Sequence, residues 1–177
     1  MNLIGITGGA GSGKDTAADR LVSAHAFRKV SFADPLKDGL CAMFNWTPEQ
    51  INDRVFKETS LPDIGKSPRQ LMQLLGTEYG REMVHPDIWL ILARRKIEAF
   101  MQYRSVVISD VRFDNEAEMI RAMGGQIIHL IRPGISAVAA HVSEQGVTIN
   151  HTVDIGYQND RSIGELHAWL DWWAVQP

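Results

Sequence analysis

The 177-residue sequence has little cysteine, no long hydrophobic run and no excess of basic charge. Its single cysteine, Cys41, cannot form an intramolecular disulfide, which excludes a disulfide-stapled miniprotein and suits a reducing compartment. The sequence never reaches the roughly 18 consecutive apolar residues of a membrane span, and its start lacks the basic and apolar regions of a signal peptide. We therefore expect a cytoplasmic protein with no membrane partner.

The charge balance argues against a nucleic-acid partner. Lysine and arginine total 18, and aspartate and glutamate total 21, which gives a formal charge of −3. Proteins that bind nucleic acid by neutralising phosphates are normally strongly basic. The apolar share of 45% and the charged share of 22% are those of an ordinary globular protein. At this length we expect a single domain that spans residues 1–177.

Short apolar runs alternate with amphipathic helical patterns along much of the chain. Val106, Val107 and Ile108 form the clearest run, apolar on both faces as in a central parallel strand. Ser162 and Glu165 have the spacing of a capping box. Strands are predicted at residues 3–7, 27–32, 106–109, 126–131 and 153–157, and helices at 15–26, 116–123 and 162–173. This alternation predicts an α/β fold, a three-layer sandwich whose central parallel sheet of about five strands has helices on both faces.

Two intervals break the alternation. Residues 34–104 contain no strand pattern, and two segments within them have a capping residue, a proline and a glutamine in the positions typical of a helix start. These segments begin at Thr47 and Ser67, and a third helix is expected near residues 85–102. Residues 133–150 lack both strand and helix patterns. We therefore predict a helical arm between the second and third strands and a long loop after the fourth.

A glycine-rich segment lies between the first strand and the first helix. Residues 8–14, Gly-Gly-Ala-Gly-Ser-Gly-Lys, fit the G-x-x-x-x-G-K pattern of a phosphate-binding loop in the strand–loop–helix context that the pattern requires. Glycines let backbone N–H groups converge on phosphate oxygens, the helix adds its positive dipole end, and Lys14 adds a point charge. The alternative is a glycine-rich turn that only links the two elements. We favour phosphate binding, with contacts from Gly9, Ala10, Gly11, Ser12, Gly13, Lys14, Asp15 and Thr16.

Asp15 departs from the general pattern, in which a serine or threonine that binds Mg²⁺ follows the lysine. A carboxylate beside a polyphosphate is unfavourable unless a cation offsets it, although it suits a helix N-terminus. We expect Asp15 to help cap the helix or to orient Mg²⁺-bound water. Thr16 is then expected to supply the hydroxyl that reaches a phosphate oxygen.

Six segments of the sequence, five of them outside this loop, carry a resemblance to a known family. They are residues 11–16 (GSGKDT), 32–37 (FADPLK), 67–81 (SPRQLMQLLGTEYGR), 85–89 (HPDIW), 109–112 (SDVR) and 141–144 (HVSE). In these segments the chain resembles the phage-type deoxynucleoside monophosphate kinases, a family of P-loop nucleotide kinases. The segments spread over most of the chain. Segment 67–81 is the more family-specific piece, since the phosphate loop is shared by many enzymes.

The resemblance implies a P-loop kinase fold in which residues 34–104 form the monophosphate-binding arm and residues 133–150 a lid over ATP. It implies transfer of the ATP γ-phosphoryl group to a deoxynucleoside monophosphate, with Mg²⁺ held largely through waters and ATP oxygens. The partners would be the small molecules ATP and dNMP, with a homodimer as the candidate assembly, in the host cytoplasm if the chain is phage-encoded. Two other functions stay open: another P-loop small-molecule kinase, of the dephospho-coenzyme A or phosphomevalonate type, and an ATP-binding regulator without turnover.

Four side chains are candidates for catalysis. Lys14 lies in the phosphate loop, and Arg132 leads into the predicted lid. Asp110 and Arg112 follow the clearest strand, at the edge where parallel sheets place ligand groups, and they resemble the aspartate–arginine pair of thymidylate kinases. The alternatives are a helix cap at Asp110 and exposed surface arginines at 112 and 132. The candidate contacts of Mg²⁺, through water, are Asp15, Thr16 and Asp110.

Candidate contacts of the acceptor nucleotide lie in the helical arm. If one α-helix runs from Pro68 to Arg81, a polar stripe recurs every four positions along it. The stripe is either a binding face, with its two arginines on the acceptor phosphate, or a solvated surface. Gly76 and Gly80 beside it reduce helix stability, which points to close approach of a ligand or to close helix packing. The stripe consists of Arg69, Gln73, Thr77 and Arg81, and the further candidates are Asp34 (alternatively a helix cap), Lys37 (alternatively solvated) and Trp89 (alternatively packed in the core).

Overall fold

Five strands form one parallel sheet in the computed structural model, which describes residues 1–134 and 147–176. The strands are β1 (Leu3–Thr7), β2 (Arg28–Val30), β3 (Val106–Ile108), β4 (Gln126–Ile131) and β5 (Ile155–Gln158). Their order in the sheet is β2-β3-β1-β4-β5, and every pairing is parallel. The predicted five-stranded parallel sheet is confirmed. Because the strands are parallel, all their carboxyl ends lie along one edge.

Eight α-helices and one π-helix accompany the sheet in the described residues. They are α1 (Lys14–His25), α2 (Asp34–Phe44), α3 (Pro48–Asn52), α4 (Arg54–Glu58), α5 (Pro68–Gln73), the π-helix (Leu74–Val84), α6 (Ile88–Met101), α7 (Asp114–Ala122) and α8 (Ile163–Ala174). The predicted capping box and the two predicted helix starts are confirmed. All three are capping boxes, because in each the capping hydroxyl and the partner side chain exchange hydrogen bonds with the backbone. They pair Thr47 with Gln50 in α3, Ser67 with Gln70 in α5 and Ser162 with Glu165 in α8.

The alternation of side chains along β1 explains why helices cover both faces of the sheet. Ile4 and Ile6 are fully buried in a cluster with residues of α1 and α8 on one face. Gly5 points to the other face, where a Cβ atom would lie 2.8 Å from Ile120 Cδ1 of α7. Successive residues of a strand face opposite sides, so a strand buried on both needs small or apolar residues throughout. The three-layer arrangement is confirmed.

The described chain divides into two compact units. One comprises residues 1–31 and 94–177, and the other comprises residues 32–93. Between β2 and β3, a stretch described in full, the regular elements are all helical, and an isolated bridge joins Leu61 to Lys66. The predicted lid is mostly untested, since residues 135–146 lie outside the described residues. No helix in the described part of the chain has the length and apolar character needed to cross a bilayer.

A buried carboxylate fastens the chain that enters β5. The Asp154 side chain has no exposed surface and accepts hydrogen bonds from Arg121 Nε at 3.0 Å and Arg121 Nη2 at 2.5 Å. His129 Nε2 lies 3.1 Å from the same carboxylate, and the Asn150 amide donates to it at 2.8 Å. Burial alone would raise the pKa of Asp154, but the hydrogen bonds from Arg121, the Asn150 amide and His129 outweigh it and lower that pKa. The carboxylate therefore ties residues 150–154 to α7 and β4.

We expect Asp154→Asn to reduce the free energy of unfolding at pH 7 by about 3 kcal/mol, because it removes the buried carboxylate that the largely buried Arg121 guanidinium contacts through two hydrogen bonds. The difference from the parent should shrink below about pH 4. A carboxylate with a lowered pKa stabilises the folded state above its unfolded-state pKa, and this contribution is lost as the pH falls through the folded-state pKa. Urea denaturation between pH 3 and pH 7 measures both effects.

Asp160→Asn is the matched control. Asp160 forms an exposed pair with Arg161 at 3.9 Å, and such pairs contribute about 1 kcal/mol or less. Equal losses in the two variants would contradict a special role for the buried carboxylate.

Candidate active site

The glycine-rich loop between β1 and α1 has a backbone that requires glycine. Gly8, Gly11 and Gly13 have φ angles of 146°, 77° and 101°, which side-chain-bearing residues rarely adopt. At Gly8 a Cβ atom would also lie 2.3 Å from the Leu130 carbonyl oxygen of β4. The glycines are therefore fixed by the shape of the loop and by its contact with the neighbouring strand.

Lys14, the first residue of α1, folds back across this loop. Its Nζ donates to the carbonyl oxygens of Gly8 at 2.7 Å and Gly9 at 2.8 Å. The ammonium group thus lies beside the loop and near the helix N-terminus, where unpaired N–H groups and the helix dipole favour an anion. Backbone donors and a cation at one place are what a polyphosphate needs.

A second lysine, absent from the predicted set, offsets the charge of Asp15. Lys29 Nζ in β2 lies 3.1 Å from Asp15 Oδ1 and 2.9 Å from Asp19 Oδ1. Burial alone would lower the pKa of Lys29, but the hydrogen bonds to Asp19 and Asp15 outweigh it and raise that pKa. The lysine is therefore charged at neutral pH. It is the cation that a carboxylate beside a phosphate loop requires.

Asp110 lies at the carboxyl edge of the sheet, where it was predicted. Ser31 follows β2, and its hydroxyl donates a hydrogen bond to the Asp110 carboxylate that follows β3. The helix-cap alternative for Asp110 is wrong, because the N-cap of α7 is Phe113. Buried Glu116 accepts from the Arg112 and Phe113 amides at 2.8 and 3.1 Å. The Asp110 carboxylate is thus held by a strand-end serine at the sheet edge.

The two candidate arginines of this unit each follow a strand at the carboxyl edge of the sheet, Arg112 after β3 and Arg132 after β4. Arg132 follows β4, and its Nη1 lies 3.5 Å from the Gly11 carbonyl oxygen, so it reaches the phosphate loop. The side chain of Arg112 is exposed. Thr16 is half-buried in the first turn of α1. The structure therefore brings Lys14, Asp15, Thr16, Asp110 and Arg132 to one edge of the sheet, and their roles in catalysis stay predictions.

The acceptor candidates lie in the unit of residues 32–93. Arg69 Nε donates to Glu58 Oε1 at 2.5 Å, with both side chains about half exposed. Lys37 Nζ donates to Asn52 Oδ1 at 2.8 Å. Asp34 is the first helical residue of α2, and the N-cap is Ala33, so the helix-cap alternative for Asp34 is wrong. A carboxylate in the first turn still stabilises the helix through its dipole.

The prediction of one α-helix from Pro68 to Arg81 is wrong beyond Gln73, where the chain continues as a π-helix. A π-helix closes its hydrogen bonds over five residues and so has a wider turn than an α-helix. Residues four apart are separated by slightly more than one turn of an α-helix and by slightly less than one turn of a π-helix. The angular drift of the predicted stripe around the helix axis therefore reverses direction after Gln73. Arg69, Gln73 and Thr77 are exposed, and Arg81 is half-buried.

Trp89 accounts for one of the two glycines of the π-helix, Gly80. A Cβ atom on Gly80 would lie 2.6 Å from Trp89 Cζ2, and the indole Nε1 donates to the Gly76 carbonyl oxygen at 2.7 Å. Of the two predicted reasons, close packing is therefore the one that the contacts support at Gly80. At Gly76 a Cβ atom would make an ordinary contact, 3.4 Å from Leu36 Cδ2. Contact of Trp89 with a nucleotide base stays a prediction.

A glycine-rich phosphate loop between a parallel strand and a helix defines the chain as a P-loop protein. A family model for deoxynucleotide monophosphate kinase matches residues 48–169, and the chain belongs to this family. A protein of Acanthamoeba polyphaga mimivirus, named provisionally as such a kinase, is 38% identical over 95% of this chain and 93% of its own length. The deoxynucleotide monophosphate kinase of Enterobacteria phage T4 is 26% identical over 95% of this chain and 96% of its own length.

The fold is shared with solved kinase structures. An unliganded sugar kinase from a Janibacter species superposes with a TM-score of 0.55, over 100% of this chain and 96% of that one. The two sequences are 15% identical, so this likeness concerns the fold alone.

We expect Gly80→Ala to reduce the free energy of unfolding by about 1–3 kcal/mol, because the added methyl group overlaps the Trp89 ring. Gly39→Ala is the matched control in α2, since a Cβ there meets nothing within 4 Å. That substitution should stabilise the protein by about 1 kcal/mol through helix propensity alone. Urea denaturation of both variants provides the measurement. Stabilisation by Gly80→Ala would contradict the packing explanation.

Proposed function

We propose that this protein transfers the γ-phosphoryl group of ATP to the 5′-phosphate of a deoxynucleoside monophosphate, which yields the diphosphate. The position of Lys14 over a loop with three left-handed glycines carries the proposal, since this is a ready site for a polyphosphate. Membership of the deoxynucleotide monophosphate kinase family, whose model matches residues 48–169, supports the choice of acceptor.

The protein's own groups would act mainly by binding the phosphates and stabilising their negative charge. The loop N–H groups and the dipole of α1 hold the donor phosphates, and Lys14 leaves the Gly8 and Gly9 carbonyls to meet a phosphate oxygen. Arg132, already within reach of Gly11, stabilises charge on the transferring group. Phosphoryl transfer needs positioning and electrostatic stabilisation more than covalent chemistry. The acceptor phosphate is ionised at neutral pH, so no side chain is needed as a general base.

The carboxyl edge of the sheet also fits Mg²⁺. The candidate groups there, the Thr16 hydroxyl and the Asp110 and Asp15 carboxylates, are all oxygen donors, which is the ligand type that Mg²⁺ prefers. The hydrogen bond from Ser31 orients the Asp110 carboxylate. When bound, the ion would neutralise charge on the donor phosphates. We propose that these residues hold it mainly through water.

The acceptor nucleotide would be bound by residues of the 32–93 unit. Arg69 and Arg81 supply the planar donors that suit a phosphate, and Glu58 keeps the Arg69 guanidinium in place until that phosphate arrives. The further contacts proposed are Asp34, Lys37, Gln73, Thr77 and Trp89. The protein would thus act on two small molecules, ATP and dNMP. Since the relatives are viral, we propose that it works in the cytoplasm of a host cell.

A coupled assay with ATP and a panel of deoxy- and ribonucleoside monophosphates tests the function. We expect turnover of at least one deoxynucleotide, and a loss of about 100-fold or more in kcat for Lys14→Ala, because an electrostatic contact of the transition state is removed. Arg81→Ala should instead raise the KM of the acceptor and leave the ATP affinity unchanged. Lys66→Ala, the control, removes an exposed lysine outside the loop. It should leave kcat and the KM of the acceptor within about twofold of the parent values.

The same panel includes dephospho-coenzyme A and phosphomevalonate. Turnover of either one, with no deoxynucleotide accepted, would assign the chain to another small-molecule kinase. ATP binding without product from any acceptor would indicate a regulator. Near-normal kcat in folded Lys14→Ala would contradict the role of the loop.

The pairing of Lys29 with Asp15 predicts a charge-compensation effect on ATP binding. Two unit charges about 4 Å apart interact by about 1 kcal/mol in water, or about fivefold in affinity. We therefore expect Lys29→Met to weaken ATP binding by about fivefold or more, and Asp15→Asn in the same chain to restore most of the loss. Calorimetric titration measures both constants. Asp19→Asn, which removes the other carboxylate beside Lys29, should restore less of the ATP affinity when it is combined with Lys29→Met. Equal restoration by Asp15→Asn and Asp19→Asn would argue against a local effect at the loop.

A further inference from the structure

Asn159 links the phosphate loop to the far edge of the sheet. It follows β5 directly and is 7% exposed. Its side-chain Nδ2 donates to the Ser12 carbonyl oxygen at 2.8 Å, across 147 residues of sequence. Its backbone N–H donates to the Ile131 carbonyl oxygen at 2.7 Å. A Cβ atom on Gly13 would lie 2.7 Å from the same Nδ2. One side chain therefore holds the Ser12 carbonyl and occupies the space beside Gly13 that a Cβ atom would need.

This contact fixes the orientation of the peptide. The peptide bond is trans, so its carbonyl and its N–H point in opposite directions. Holding the Ser12 carbonyl on Asn159 turns the Gly13 N–H away from Asn159. The preceding peptide is held as well, because the Ser12 amide donates to the Gly9 carbonyl oxygen at 3.1 Å. A buried carbonyl needs a donor, so loss of the Asn159 amide would favour rotation of this peptide.

Asn159 does not cap the helix that follows it. The N-cap of α8 is Ser162, whose hydroxyl and partner Glu165 complete the capping box. The Ser12 Oγ atom is buried and has no hydrogen-bond partner in the described residues, so it does not hold the loop either. The amide of Asn159 is therefore the side-chain group that holds the Ser12 carbonyl.

We propose that Asn159 is a positioning residue of the phosphate loop: its amide presets the Ser12–Gly13 peptide so that the Gly13 N–H is available to a phosphate oxygen of the donor nucleotide. The inference rests on the proposed function in taking ATP as the ligand of this loop. The backbone bond to Ile131 extends the effect, because Ile131 precedes Arg132, whose guanidinium lies 3.5 Å from the Gly11 carbonyl oxygen. Asn159 thus holds the loop and the strand end that carries Arg132 in one arrangement.

Equilibrium binding to the full chain tests the proposal. Calorimetric titration with ATP and, separately, with a deoxynucleoside monophosphate is made on the parent, Asn159→Ala and Asn159→Asp. We expect both variants to bind ATP at least tenfold more weakly and the monophosphate within twofold of the parent. Asn159→Asp keeps the side-chain shape, so it remains informative if Asn159→Ala fails to fold. Gln158→Ala, which removes an exposed amide one residue away, should change neither affinity by more than twofold.

The pH profile of Asn159→Asp separates positioning from packing. A protonated aspartic acid can donate to the Ser12 carbonyl, whereas the carboxylate cannot. The ATP affinity of this variant relative to the parent should therefore recover as the pH falls from 8 towards 5.5, by threefold or more. A flat ratio would show that only packing was lost and would overturn the proposal.

Failure of this inference is distinguishable from failure of the proposed function. Unchanged ATP affinity in both variants, with normal turnover, would overturn the role of Asn159 and leave the kinase function intact. Parallel loss of ATP and monophosphate affinity together with a lowered Tm would also overturn it, as a general structural effect. A parent that binds ATP but phosphorylates no acceptor would refute the function alone, and a parent that does not bind ATP would refute both.

Discussion

Parallel pairing of β1 with β3 on one side and β4 on the other is the constraint on which the candidate site depends. The register sets Ile6 opposite Ile128 and Thr7 opposite His129, which brings the Leu130 carbonyl against Gly8 at 2.3 Å from the position of a Cβ atom. A slip of one residue would turn every side chain of the strand to the opposite face. It would also remove the surface against which the loop turns. The shape of the loop is therefore a consequence of sheet register as much as of its own glycines.

The charges around this loop form a balanced set. Asp15 and Asp19 of α1 would repel an anionic ligand, and Lys29 lies against both, while Lys14 donates to the loop carbonyls. The pairing of Lys29 with Asp15 explains how an aspartate can follow the lysine of the loop. The carboxylate also favours the N-terminus of α1 through the helix dipole.

Local patterns in the sequence sufficed for the sheet, the glycine-rich loop, one capping box and two further helix starts, because strand burial, glycine spacing and helix caps are determined by neighbouring residues. Lys29 and Asn159 were missed, and no local signal marks them. Lys29 lies in a short strand with an ordinary pattern, and Asn159 contacts the loop across 147 residues. The N-cap of α2 was misplaced by one residue, from Ala33 to Asp34, because an aspartate is the better capping residue. Contacts formed by topology require the fold to be known first.

The π-helix shows how packing goes with a departure from a local pattern. A four-residue spacing of polar side chains does not by itself distinguish an α-helix from a π-helix. Trp89 lies against Gly80 and donates to the Gly76 carbonyl, and these contacts accompany the wide turn. The wide turn reverses the angular drift of residues four apart around the helix axis. Arg81 therefore lies closer to the face of Arg69 than it would on a continuous α-helix. The packing of Trp89 and the position of Arg81 relative to Arg69 therefore both go with one change in helical turn.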